Sequence, residues 1–245
     1  MDIVYENLKS YTIYDMNLTD IAANLLQHQR STPDLIADAL RQAILYGVFA
    51  EGQSLRQDEI ATKFGVSRIP VREALRQLEV EGLVTFFPNR GAVVTVLSIA
   101  EVQEIVEIRV ALETTALQLA MPNQSQTNLE QAKTILKETD QTTDPNRWAE
   151  LNWEFHAMLY SPADRPRLLS MIRMLHINVD RYIRLQLRHT PYQKQSQQEH
   201  FQLLHLCQNQ DVVGAIGLLK QHIGEAGKEL VTYLRQVRTL EGQKL

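Results

Sequence analysis

Arg68, Arg72 and Arg76 recur at intervals of four residues. On an α-helix each step of four passes a full turn by about 40°, so the three guanidiniums share one stripe. Such a stripe can meet DNA phosphates. Arginine can also donate a parallel pair of hydrogen bonds to guanine in the major groove. On an ordinary surface helix the same stripe would be solvated, so the surrounding elements decide. A second kind of chemistry is open to the seven histidines, because imidazole suits zinc, nickel, copper and iron. Asn152 and His156 stand four apart, which puts both on one face of a helix. A lone histidine, however, is more often a packed or solvated residue than a ligand.

The arginine stripe sits in a recognisable frame. Val71, Ala74, Leu75 and Leu78 form an apolar face beside it. Ser67 is an N-cap candidate, and Pro70 falls in the first helical turn, where its missing N–H costs little. Upstream, Asp58–Phe64 forms a short amphipathic segment with Ile60, Ala61 and Phe64 on one side, and Gly65 can supply a left-handed turn. Helix, glycine turn, helix is the helix-turn-helix pattern. Downstream, Val84–Phe87 and Ala92–Val96 read as two strands joined by Pro88-Asn-Arg-Gly91. A helix-turn-helix followed by a two-stranded ribbon is a winged helix, with Arg90 at the wing tip. An earlier helix is expected from Thr32 as cap and Pro33 at its first position, with Leu35, Ile36, Ala39, Leu40 and Ile44 inward and Gly47 as its stop.

The run Gly65-Val-Ser-Arg-Ile-Pro-Val-Arg-Glu-Ala-Leu75, then Glu81-Gly-Leu-Val84 and Pro88-Asn-Arg-Gly91, closely resembles the GntR family of bacterial transcription regulators. The resemblance runs from about Pro33 to Thr95. It implies a DNA-facing set of Arg56, Ser67, Arg68, Pro70, Arg72 and Arg76, with Asn89, Arg90 and Gly91 on the wing. Relatives of the fatty-acid-regulator type often carry a base-contacting arginine where this chain has Asp58. The acidic residue is not expected to touch DNA, and the operator is expected to differ.

Composition agrees with a specific reader of DNA. The chain has 245 residues, 44% hydrophobic and 22% charged, with a formal net charge of −4. Residues 29–97 hold eight Lys/Arg and eight Asp/Glu, so binding must come from a local arrangement of arginines and not from bulk charge. No apolar run approaches the ~20 residues of a membrane span. The N-terminus lacks the basic start and apolar core of a signal peptide. One cysteine, Cys207, excludes an intrachain disulfide framework and fits a reducing cytoplasm. The expected organisation is an arm over residues 1–30 with a short helix at Leu18–Leu26, a winged helix over 31–97, and a helical domain over 98–240.

After Thr95 helical periodicity runs to the end. Ser98-Ile-Ala-Glu101 is a capping box. Six helices follow, with breaks at Pro122-Asn123, Asp144-Pro145, Asp164-Arg-Pro166, Pro191 and Asp211. The fold class is therefore mainly α, a winged helix-turn-helix domain joined to a six-helix bundle. Arg109-Val-Ala-Leu-Glu113, Asn152-Trp-Glu-Phe-His156, Glu199-His200 and Asp211 with Ala215 and His222 resemble the FCD domain, in its shorter variant like that of vanillate regulators.

That resemblance selects His156, His200 and His222, with Asn152, as a metal set. The bundle can converge them from three helices. The pattern usually begins with aspartate, and Asn152 coordinates without charge. One amide and three neutral imidazoles would leave a divalent ion, zinc or nickel, uncompensated. An anionic partner is then expected: a small carboxylate effector, paired also with Arg109 as the resemblance implies. His28, His176, His189 and His205 remain outside this set. The reading is a ligand-responsive repressor, a homodimer on palindromic double-stranded DNA. Metal-assisted hydrolysis with Glu154 or Glu199 as base is the alternative, and no paired acid–base motif supports it. A purely architectural DNA-binding protein is the third.

Overall fold

The computed structural model describes residues 31–188 and 192–242. The helix expected at Leu18–Leu26 and the break at Pro191 lie outside these. Among the described residues the order is α1 (Thr32–Leu45), β1 (Ser54–Leu55), α2 (Gln57–Phe64), α3 (Arg68–Val80), β2 (Val84–Phe87), β3 (Gly91–Val94), α4 (Ile99–Ala120), α5 (Gln126–Gln141), α6 (Pro145–Tyr160), α7 (Pro166–Leu187), α8 (Tyr192–Gln208) and α9 (Val212–Gly242).

Local chemistry accounts for the first domain. Asp34 stands three residues after Ser31 and closes a capping box with it, so the cap of α1 is Ser31, one residue before the expected Thr32. Gly65 ends α2 with φ +66°, a left-handed turn that glycine adopts without a Cβ clash. Ser67 occupies the N-cap of α3, but its hydroxyl makes no capping bond. Ile36, Leu40, Ile44, Val71, Leu75 and Leu78 bury their side chains in a core that β2 and β3 close from the other side. The expected two-stranded ribbon is a three-stranded antiparallel sheet in the order β1-β3-β2, with Ser54 and Thr85 both opposite Val93. Two residues of β1 carry no periodicity to read.

The helical domain follows the expected breaks. Ser98 and Glu101 form their capping box at α4, and Pro122 turns the chain through a short 3-10 segment, Met121–Asn123. Leu117, Met121, Leu136, Phe155, Leu159 and Ile172 are fully buried in its main core.

Helix α7 joins the two domains. Its Ile177 enters the winged-helix core. Asn178 Nδ2 donates to the Glu81 carbonyl at the end of α3. The Tyr182 hydroxyl accepts from the Leu97 N–H at 2.9 Å. From α1, the Tyr46 hydroxyl donates to Glu150 Oε1 at 2.6 Å.

Gly82 makes this junction sensitive. Its φ is +77°, and a Cβ there would lie 2.8 Å from Asn178 Nδ2. Gly47 has φ +78° with open space around it. Gly47→Ala should cost about 1–2 kcal/mol for the left-handed backbone alone. Gly82→Ala should cost measurably more, because it also displaces Asn178. Urea unfolding of the two variants gives the comparison.

Candidate metal centre and DNA-facing surface

Three helices bring three imidazoles together. His156 on α6, His200 on α8 and His222 on α9 are all buried, and one ring nitrogen from each lies within 4.8 Å of the others. The partners of the opposite ring nitrogens identify the tautomers. Burial and Glu113 push the Tyr160 phenol well above its ordinary range, so it stays protonated. It donates to Glu113 Oε2 at 2.8 Å, and its oxygen is left to accept from His156 Nδ1 at 3.2 Å. Gln197 Nε2 donates to the Leu136 carbonyl, which turns Gln197 Oε1 toward His200 Nδ1 at 3.3 Å. Glu199 Oε2 accepts from His222 Nδ1 at 2.6 Å. Each Nδ1 therefore carries its hydrogen, and each Nε2 presents a lone pair. His200 Nε2 and His222 Nε2 face one another at 3.2 Å.

Two lone pairs at that distance repel unless a proton or a cation lies between them. Protonation of His156 and of His200 is disfavoured. Burial, then the neighbouring His222, holds His156 and His200 well below the ordinary histidine value. The donor set fits a divalent metal: three neutral imidazoles with their outer nitrogens fixed by hydrogen bonds.

Asn152 and Arg109 line the same cavity, which has a volume of about 50 Å³. Asn152 is half-buried, one turn before His156. Arg109 is buried, and its Nε donates to Glu113 Oε1 at 2.7 Å. The charge balance differs from the one expected from sequence. Two carboxylates stand behind the imidazoles, Glu199 directly and Glu113 through Tyr160. Glu113 is neutralised by Arg109. The hydrogen bond from His222 holds the Glu199 carboxyl below its usual range, so Glu199 supplies the anionic charge nearest the cluster. Sequence reasoning quoted Glu113 and Glu199 but gave neither this role, and it missed Tyr160 and Gln197. Their signal was spacing: Arg109/Glu113 and His156/Tyr160 are four apart, and Gln197/His200 three. Of the other histidines, His176 is buried at the domain junction, and His205 is exposed and bonded to Asn209. His28 and His189 lie outside the described residues.

The arginine stripe divides into three environments. Arg68 pairs with Asp58 across the helix-turn-helix, both side chains largely exposed. Arg72 is exposed and has no ion pair among the described residues. Arg76 bonds Glu79 at 2.6 Å and lies 4.1 Å over the Phe86 ring, so it braces the wing. Arg56 reaches Glu59 at 3.5 Å. Ser67 is exposed, Pro70 half-buried, and Asn89, Arg90 and Gly91 form an exposed wing tip with φ +66° at Asn89 and +72° at Gly91. Ile69, 70% exposed at the start of α3, was not anticipated. An apolar side chain there can meet a thymine methyl group.

Residues 33–94 match the profile described as bacterial regulatory proteins, gntR family, and residues 104–225 match the FCD domain. The HTH-type transcriptional repressor RspR of Escherichia coli is 31% identical over 81% of this chain and 87% of its own length. The chain belongs to the GntR family. Within this family, the transcriptional regulator BphR of Paraburkholderia xenovorans is 27% identical over 85% of the chain and 89% of its own length. YdhC of Bacillus subtilis is 32% identical over 57% of the chain and 63% of its own length, just under two thirds of that regulator. A GntR-family regulator from Pseudomonas syringae pv. tomato, solved by crystallography, is 32% identical, with a TM-score of 0.56 over 91% of this chain and 97% of that one. E. coli McbR/YncC, at 21% identity and a TM-score of 0.75 over 84% of this chain and all of its own, shares the fold. Among the described residues no helix is long and apolar enough to cross a membrane.

The carboxylate behind His222 should matter to a metal without touching it. Glu199→Gln keeps an acceptor but removes the charge. Zinc affinity, measured by competition with a chromophoric chelator, should fall by about 10–100-fold while far-UV circular dichroism stays unchanged.

Proposed function

We propose that this GntR-family chain is a ligand-responsive, sequence-specific repressor. Its helical domain holds a divalent transition metal, zinc or nickel, on His156, His200, His222 and Asn152, and binds a small carboxylate effector with Arg109. The observation that carries the reading is the meeting of three buried imidazoles, their Nε2 lone pairs turned together. A bound divalent ion would supply a Lewis-acidic anchor for a carboxylate oxygen. The outer guanidinium nitrogens of Arg109 are the anion's second partner.

The placement of the acids favours binding over catalysis. Glu154 is tied to Arg147, and Glu199 is occupied by the rear nitrogen of His222. Neither is placed as a general base on the Nε2 side.

Helices α6 and α7 supply the route to DNA. Asn152 and His156 face the metal cavity, while Glu150 and Trp153 on the same helix face the winged helix. Effector and operator would then be coupled reciprocally, typically by ~1–3 kcal/mol. A single α3 reads few base pairs, and the winged helix carries no bulk positive charge. Two copies on a palindromic operator double the readout.

The DNA reading separates the arginines. In gel-shift titrations Arg72→Ala and Arg68→Ala should each weaken operator binding by about 1–3 kcal/mol. Arg76→Ala should act mainly through the wing and lower thermal stability as well. Wild-type affinity in both Arg68 and Arg72 variants would remove α3 from the DNA interface.

The metal reading turns on Asn152. Asn152→Asp should tighten zinc or nickel binding and reduce the metal's contribution to carboxylate affinity. Calorimetry with metal, then with a responding carboxylate, decides this. Unchanged metal affinity, or equal carboxylate binding by metal-stripped protein, would overturn it.

A further inference from the structure

A second cavity, of about 450 Å³, lies between the domains. Helix α1 forms one wall, and α6 and α7 form the other. It is several times larger than the histidine cavity and shares no lining residue with it.

Its charges do not close among themselves. Arg41 is saturated by Glu81 at 2.6 Å and by Asp38. Arg184 Nε donates to Asp180 Oδ2 at 2.9 Å. Arg173 has no ion pair among the described residues, and its guanidinium lies 4.7 Å over the Trp153 ring.

The opposite sign is also left over. Asp180 is buried, and its Oδ1 has no hydrogen-bond partner. The Nδ1 of buried His176, one turn away, has none either. On α6, Glu154 shares Arg147 with Glu138 and Glu150, and Glu150 is also reached by Arg184 at 4.0 Å and by the Tyr46 hydroxyl at 2.6 Å. Among the described residues the cavity therefore offers one arginine without an ion pair, Arg173, and one buried carboxylate oxygen without a hydrogen bond, Asp180 Oδ1. A simple anion would meet the carboxylates, and a simple cation would meet Arg173. Arg173 and Asp180 are seven residues apart on α7, two turns or about 10 Å along the axis. The two groups form no ion pair with each other, so a ligand that meets both must carry its charges apart, and an α-amino acid, whose two charges are nearly adjacent, is the poorer fit.

We propose that this interdomain cavity is a second ligand site, taking a small zwitterion with separated ends: its carboxylate on Arg173 and its ammonium on Asp180. Such a ligand would touch α7 within the cavity and brace it against α1. It would act on the winged helix without using the histidine cluster.

ε-Aminocaproate is the probe, with caproate and n-hexylamine as single-headed controls and glycine as the short zwitterion. Binding is measured by calorimetry at matched ionic strength, on zinc-loaded protein and on protein stripped with a chelator that is then dialysed away. ε-Aminocaproate should bind at least about tenfold more tightly than any control, a difference of ~1.4 kcal/mol, and equally well with and without zinc. Arg173→Ala should reduce its affinity to that of n-hexylamine, and Asp180→Asn to that of caproate. Arg173 is exposed and its removal should leave the fold intact, so that variant decides the matter if Asp180→Asn does not fold. No binding of ε-aminocaproate to the wild type would overturn the proposal. So would equal binding of caproate or n-hexylamine, dependence on zinc, or undiminished binding by Arg173→Ala.

Discussion

Three imidazoles share a buried interior with their Nε2 lone pairs turned toward one another. This arrangement is costly in isolation. Neutral lone pairs at 3.2 Å repel, and burial opposes the protonation of His200 that would relieve them. It persists because the outer nitrogens are held from behind. Tyr160, Gln197 and Glu199 each accept an Nδ1 hydrogen. All three partners are themselves held, Tyr160 by Glu113, Gln197 by the Leu136 carbonyl and Glu199 by Gln195. The rings are oriented before any ion arrives, so little reorganisation opposes its binding.

Two helices connect that centre to the DNA-reading domain. On α6, His156 and Asn152 face the cluster, while Trp153 and Glu150 face the junction. On α7, Ile183 and Gln186 line the histidine cavity, while His176, Asp180 and Arg184 line the junction. A shift of either helix changes both surfaces at once. The contact with the winged helix is also tight. Gly82 has no Cβ, Asn178 occupies the space this leaves, and Ile177 completes a core otherwise built from residues before 95.

Much of this was legible in the sequence because the signals were local. Gly65, the apolar face of α3, the Ser98–Glu101 capping box and the prolines at helix breaks each act within a turn or two of chain. The histidines were legible by resemblance to a known pattern. Several features were not. β1 has two residues and pairs with a strand almost forty positions later. The cap of α1 fell on Ser31 because Asp34 closes the box from three residues away. The role of Glu199 depends on a helix 23 residues further on, and no spacing rule reports that. His176 looked ordinary because Trp153 reaches it only when α6 packs on α7. Arg76 shared a stripe with Arg68 and Arg72, yet Phe86 and Glu79 draw it to the wing.

The central claim is that the three Nε2 atoms form one metal centre. X-ray absorption at the zinc edge of zinc-loaded protein measures it directly. The account predicts a first shell containing three imidazole nitrogens at ~2.0–2.1 Å, with the multiple-scattering signature of the rings. A first shell of oxygens alone, or one with a single imidazole, would contradict it.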